Sequence, residues 1–134
     1  MENLVKDFLS QGNFAVIGSF RKESKYAYRI FNKLKEEGYE VYPVNPGLQE
    51  VLGEKCYKRI SDIPFTVDVV NVVTPPEITE KIAQECLEKG IKRLWLQPGA
   101  ENDNVIKFCN DNNIKVIHGL CIMLEKIKKR RDND

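Results

Sequence analysis

Phe14-Ala15-Val16-Ile17-Gly18-Ser19-Phe20-Arg21-Lys22-Glu23-Ser24-Lys25-Tyr26-Ala27-Tyr28-Arg29-Ile30-Phe31 is an uninterrupted run near the amino terminus of the chain. It opens as a short apolar run with the composition of a buried strand and stops at Gly18. It then passes through a polar, basic loop and resumes with apolar residues at helical spacing. Strand, loop and helix follow in that order. In an open parallel sheet, unpaired backbone N–H groups and the helix dipole converge on such a loop, and anionic ligands sit there. A phosphorylated ligand is the first expectation.

The helix that follows places Ala27, Ile30, Phe31 and Leu34 on one face and ends at Gly38, a residue suited to a left-handed cap. Upstream, Leu4, Val5, Phe8 and Leu9 predict a short leading helix over Leu4–Ser10, stopped by Gln11-Gly12-Asn13. Downstream, Tyr39–Val44 reads as strand two, weakened at Pro43 and closed by Asn45-Pro46-Gly47. After an irregular stretch around Val51-Leu52-Gly53 and a short helix candidate at Ile60–Ile63, strand three runs from Val67 to Val73 and stops at Thr74-Pro75-Pro76.

Glu77–Lys89 carries Ile78, Ile82, Ala83, Cys86 and Leu87 on one face and is capped by Gly90, with Thr74 a candidate cap at its start. Arg93–Gln97 is strand four, broken by Pro98-Gly99. A helix with Val105, Ile106, Phe108 and Cys109 leads to Ile114–His118 as strand five, and a last helix is expected from about Cys121 to Lys129. Five strands alternating with helices predict an α/β domain, with a mainly parallel five-stranded sheet wound on both faces. Residues 1–134 are expected to form a single domain, long enough to bury a core without staples.

Bulk composition excludes several classes. Hydrophobic residues make up 42% of the chain and charged ones 31%, ordinary values for a globular protein. Twenty-one basic residues against 20 acidic give a net charge of +1, which argues against a protein that coats nucleic acid. No apolar run approaches the roughly 20 residues a membrane helix needs, and Met1-Glu2-Asn3-Leu4-Val5-Lys6-Asp7 lacks a signal peptide's pattern. A cytoplasmic protein without membrane or nucleic-acid partners is expected. Cys56, Cys86, Cys109 and Cys121 are widely spread and without paired histidines, so neither a disulfide framework nor a metal site is expected.

The strands end, in order, at Gly18-Ser19, Asn45-Pro46-Gly47, Thr74-Pro75-Pro76, Gln97-Pro98-Gly99 and His118-Gly119. Small turn residues let backbone approach a ligand, but any compact α/β domain needs turns there too. A dinucleotide site of the usual kind wants Gly-x-Gly-x-x-Gly after strand one and an acid ending strand two. This chain has one of the three glycines, and Asn45 in place of the acid; a nucleoside-triphosphate loop is also missing. The first loop does hold Arg21, Lys22 and Lys25 beside a helix start, and arginine and lysine are phosphate-binding groups. A solvated surface loop would look the same. No catalytic constellation stands out. His118 reads as a structural strand-end residue, and Cys121 as either a core cysteine or a thiol facing the crevice.

Several segments carry a resemblance. These are Ala15–Ser19 with Arg21-Lys22, Tyr28–Phe31, Gly38–Pro46, Val51–Tyr57, Ser61–Pro64 with Val67-Asp68, Pro75–Glu77, Trp95–Gly99 and Cys121. In this order they resemble the small single-domain CoA-binding proteins. Their Rossmann-like fold is that of the amino-terminal domain of succinyl-CoA synthetase α subunits and ADP-forming acyl-CoA synthetases. The resemblance implies Gly18, Ser19, Arg21, Lys22 and Lys25 at the phosphates of CoA. It implies Asn45, Pro46, Thr74, Pro75 and Pro76 at the adenosine, and Gln97 and Gly99 along the pantetheine.

His118-Gly119-Leu120 departs from the polar run that relatives carry before the cysteine. The phosphohistidine domain and ATP-grasp partner of the synthetases have no counterpart, so a synthetase acting alone is not expected. The resulting expectation is non-catalytic binding of CoA or an acyl-CoA, with no protein partner specified. Two alternatives from other classes stand beside it: a thiol-dependent redox or acyl-transfer enzyme using Cys121, and a nucleotide-sensing interaction protein binding NAD or an adenylate.

Overall fold

The computed structural model describes residues 1–125. In chain order its elements are α1 (Glu2–Leu9), β1 (Asn13–Ile17), α2 (Tyr26–Glu36), β2 (Glu40–Val44), the short β3 (Glu50–Val51) and β4 (Glu54–Lys55), β5 (Val69–Val72), α3 (Pro76–Lys89), β6 (Arg93–Leu96), α4 (Asp103–Asp111) and β7 (Lys115–Ile117). Single 3-10 turns occur at Ile60–Asp62 and Ile122–Leu124. The main sheet has the order β2-β1-β5-β6-β7, every neighbouring pair parallel.

Register decides what each face buries. Phe14 lies opposite Val69, and Asn71 is flanked by Val16 and Trp95, so this row of the sheet faces α1 and α2 with Phe8, Ala27, Ile30, Phe31 and Leu34. One residue along, Ala15, Val70 and Leu94 face the opposite side, where Ile82, Ala83 and Cys86 of α3 and Val105 and Cys109 of α4 close over them. Both faces are covered, which is why the strands read as continuous apolar runs. β2 is an edge strand, where proline's missing N–H costs little. Pro43 still uses its carbonyl, accepting from the Tyr57 N–H at 2.9 Å.

Four details differ from the sequence reading. The buried face of α3 is Thr79, Ile82, Ala83 and Cys86, turned away from Ile78 and Leu87, which are exposed. Thr79 can take the buried place because its hydroxyl is 2.8 Å from that of Thr74 and 3.2 Å from the Pro75 carbonyl. Thr74 is therefore not the cap of α3: the N-cap position is Pro75, with no side-chain cap bond.

The irregular stretch after β2 contains the β3–β4 hairpin, turned through Leu52 and Gly53 at φ 49° and 80°. A hairpin turn with positive φ at both central residues normally draws on Asn-Gly, and leucine hides that signal. The expected last helix is a single 3-10 turn at Ile122–Leu124 as far as Glu125, and the rest of it lies outside the described residues.

At the amino-terminal edge of the sheet, Arg93 Nε and Nη2 donate to the Asp7 carboxylate at 2.8 and 3.3 Å, and Lys115 Nζ lies 3.4 Å away. This latch ties α1 to β6 and β7. The hydrogen bond from Arg93 holds the Asp7 carboxyl below the usual carboxylate range. A group whose pKa falls on folding stabilises above its unfolded pKa, and that contribution is lost as pH drops through the folded value. Asp7→Asn is expected to cost about 1 kcal/mol near neutral pH. It should also flatten the acid side of the stability curve below about pH 4, measured by urea unfolding across pH. An unchanged acid dependence in the variant would show that the latch contributes nothing.

Candidate functional site

β1 and β5 lie side by side at the centre of the sheet, and the chain leaves their carboxyl ends in opposite directions. From β1 it passes through α2 to β2, and from β5 through α3 to β6 on the other face. A parallel sheet opens a crevice at such a point, and ligands bind there.

Gly18 closes the floor of this crevice. A Cβ at Gly18 would sit 2.8 Å from the Val73 carbonyl oxygen and 2.9 Å from the Ala27 Cβ. Only glycine lets the end of β1, the exit of β5 and the first turn of α2 come so close. The Val73 N–H donates to the Ile17 carbonyl at 2.9 Å and the Gly18 N–H to the Val44 carbonyl at 3.3 Å, so three strands are stitched together at this level.

Asn45, at the end of β2, braces the loops. Its Nδ2 donates to the Gly18 carbonyl at 2.7 Å and its Oδ1 accepts from the Gly47 N–H at 2.8 Å. The second bond folds Asn45-Pro46-Gly47 into an Asx turn. The brace joins the β1 and β2 loops into one surface, and Pro46 and Gly47 stay exposed on it.

Ser19 is half-buried beside Gly18, and Arg21, Lys22 and Lys25 are exposed on the loop. None of these three cations takes part in the ion pairs among the described residues. Lys25 occupies the N-cap of α2 with no side-chain cap bond, and no acid lies in the first turn. The first amides of α2 are thus left without a side-chain partner at a positive helix end.

Across the crevice, Pro75 and Pro76 open α3, and Thr74 is oriented by Thr79. Sequence reasoning missed Thr79. A threonine within an otherwise apolar helix face was the available signal.

Gln97 and Gly99 occupy a different setting. Gln97 is only 4% exposed, and its amide serves the protein: Oε1 accepts from the Ile122 N–H at 2.9 Å, and Nε2 lies 3.2 Å from Cys121 Sγ. Trp95 Nε1 adds a bond to the Leu120 carbonyl at 2.9 Å. Together Trp95 on β6 and Gln97 just beyond it fix the segment Leu120–Ile122, so Gln97 orients Cys121 rather than lining open space. Asn71, fully buried on β5, donates to Gln97 Oε1 at 3.4 Å, while its own Oδ1 has no partner among the described residues. This buried amide was also missed, lying within the apolar run of strand three. The Gly99 N–H donates to the Glu101 carboxylate at 3.0 Å, so that turn presents a negative charge.

Cys56, Cys86 and Cys109 are buried free thiols, and Cys121 is half-buried and free. Burial pushes the thiol pKa of Cys56 and Cys86 up, and that of Cys109 to about 11. Three of the four are thereby unreactive packing groups. Among the described residues there is no cluster that could hold a metal ion.

Comparison with known proteins bears on the family of the chain. A family model described as a CoA binding domain matches residues 12–126. The chain is 37% identical over 78 residues to an ADP-forming acetate–CoA ligase of Methanocaldococcus jannaschii, covering 58% of this chain but 11% of the ligase. It therefore spans about a tenth of that relative's length. The uncharacterized protein YneT of Bacillus subtilis is 29% identical over 119 residues, 88% of each chain. Among solved structures, a conserved hypothetical protein from Pyrococcus furiosus superposes with a TM-score of 0.82 at 37% identity, covering 87% of this chain and 100% of its own. A hypothetical protein from Pyrococcus horikoshii gives 0.87 at 31% identity over 92% of this chain and 87% of its own.

Gly18→Ala tests the floor of the crevice. The methyl group would force apart β1, the exit of β5 and the start of α2, and the neighbouring carbonyl is backbone that cannot swing aside. A loss of about 1–3 kcal/mol in urea unfolding is expected. A variant as stable as the parent would show that the approach at Gly18 is not tight.

Proposed function

The chain belongs to the CoA binding domain family, and from that premise we propose that it binds CoA or an acyl-CoA in the crevice above β1 and β5 without catalysing a reaction on it. The observation that carries this reading is the first loop. Three cations without carboxylate partners among the described residues stand beside a helix start with no side-chain cap, on a floor that only glycine permits. A ligand with a pyrophosphate and a further phosphate matches that donor set.

Gly18, Ser19, Arg21, Lys22 and Lys25 would hold the phosphates. Asn45, Pro46, Thr74, Pro75 and Pro76 would flank the adenosine, the prolines presenting flat apolar surface on either side of the crevice. Gly99 would lie farther along, and Gln97 would act by holding Cys121 in place. Four free cysteines fit a reducing compartment, and the cytoplasm is the setting we infer. No helix among the described residues is long and apolar enough to cross a membrane.

A second reading rests on the contact between Gln97 Nε2 and Cys121 Sγ. That bond fixes the position of the half-buried free thiol, so a thiol-dependent role for Cys121 is the alternative with a structural observation behind it.

Isothermal titration of ligand-stripped protein with CoA, with NAD as the control, tests the proposal. Micromolar binding of CoA with NAD at least about tenfold weaker is expected, since no acid ends β2 to hold a ribose diol. Equal affinity for the two, or no binding of CoA, would overturn it.

A further inference from the structure

The arginine of the first loop does not share the position of its two lysines. A Cβ on Gly47 would lie 3.6 Å from Arg21 Nη2, so the guanidinium rests against the Asn45-Pro46-Gly47 turn at the end of β2. Lys22 and Lys25 instead belong to the turn that enters α2, where the Lys25 N–H donates to the Lys22 carbonyl at 3.0 Å. One loop thus sends a planar fork toward β2, while its two lysines belong to the turn that enters the helix.

The two places differ in what they meet on a nucleotide. The pyrophosphate of a ligand in this type of crevice lies at the first loop and the helix amino terminus, and its ribose lies over the end of β2. An acid there would accept from ribose hydroxyls and repel a phosphate on them. Here the residue is Asn45, whose amide is engaged by Gly18 and Gly47, and residues 46–49 carry no acid. Arg21 makes none of the ion pairs among the described residues, so its guanidinium has no carboxylate to release before it takes an anion.

We propose that Arg21 is the specificity-determining residue of the site. It reads the phosphate carried on the ribose of CoA, while Lys22, Lys25 and the amides of α2 serve the pyrophosphate. The Asn45 brace is its positioning device: it folds the β2 turn beside which the guanidinium lies. The inference rests on the CoA reading above and goes beyond it, since it divides one basic loop into two subsites.

The test compares CoA with dephospho-CoA by isothermal titration on parent protein and on Arg21→Ala, Arg21→Lys and Lys22→Ala variants, each verified as folded by its melting temperature. Parent protein is expected to prefer CoA by at least about tenfold, as befits a charge-assisted hydrogen bond. Arg21→Ala should bring that ratio close to unity while changing affinity for dephospho-CoA by less than about twofold, because charge effects on the pyrophosphate are screened over that distance. Arg21→Lys should fall between, keeping the charge and losing the fork. Lys22→Ala should weaken both ligands by a similar factor. Parent protein that binds the two ligands equally, or Arg21→Ala that weakens both by one factor, would overturn the inference and leave the site reading standing. Parent protein that binds neither ligand would overturn both.

Discussion

The close approach at Gly18 is the constraint on which the crevice depends. With a hydrogen in place of a side chain, the end of β1 can lie against the Val73 carbonyl and the Ala27 methyl at once. That contact sets where α2 begins, and so where its unpartnered amides point. It also leaves the Gly18 carbonyl in reach of Asn45, whose second bond shapes the β2 turn against which Arg21 rests. A chain of short contacts thus runs from one glycine to the orientation of a guanidinium. Displacing its first member would move every later one.

The opposite end of the crevice is organised differently, by polar groups inside the core. β6 places Trp95 on the α1/α2 face, and Trp95 and the adjoining Gln97 both bond to the segment after β7. That segment has only one 3-10 turn of its own, so its backbone groups need partners from the sheet. Asn71 extends the network one strand inward and leaves its carbonyl oxygen unpartnered among the described residues. The Asn71–Gln97 pair thus backs the amide that holds Cys121 in place. The first loop is thus built from exposed side chains, and the segment around Cys121 is held by buried ones.

Much of this was legible in the chain because the relevant signals are local. The Phe14–Ile17 run, the stop at Gly18 and the spacing of Ala27, Ile30, Phe31 and Leu34 each reflect burial that the structure reproduces. The cations at Arg21, Lys22 and Lys25 were visible for the same reason. What stayed hidden depends on partners distant in sequence. Gln97 reads as a strand-end polar group until Ile122 and Cys121, about 25 residues away, take up its amide. Thr79 reads as solvent-facing until Thr74 supplies its hydrogen bond, and that pairing turns α3 away from the face that Ile78 and Leu87 suggested. The β3–β4 hairpin was hidden by Leu52, a side chain that rarely adopts positive φ. Nothing in spacing alone separates Arg21 from Lys22, because their difference arises at Gly47, on the neighbouring loop.

The central claim is that the carboxyl ends of β1, β2 and β5 form the place where CoA binds. Backbone amide shifts in a nitrogen-15 NMR titration with CoA address it directly, since they report location rather than affinity. Saturable shifts concentrated at Gly18–Ala27, Asn45–Leu48 and Thr74–Glu77, with the Asp7, Arg93 and Lys115 amides at the far edge unmoved, are the result the account requires. Shifts centred on that far edge or on the β3–β4 hairpin would contradict it, as would none at all with CoA in excess.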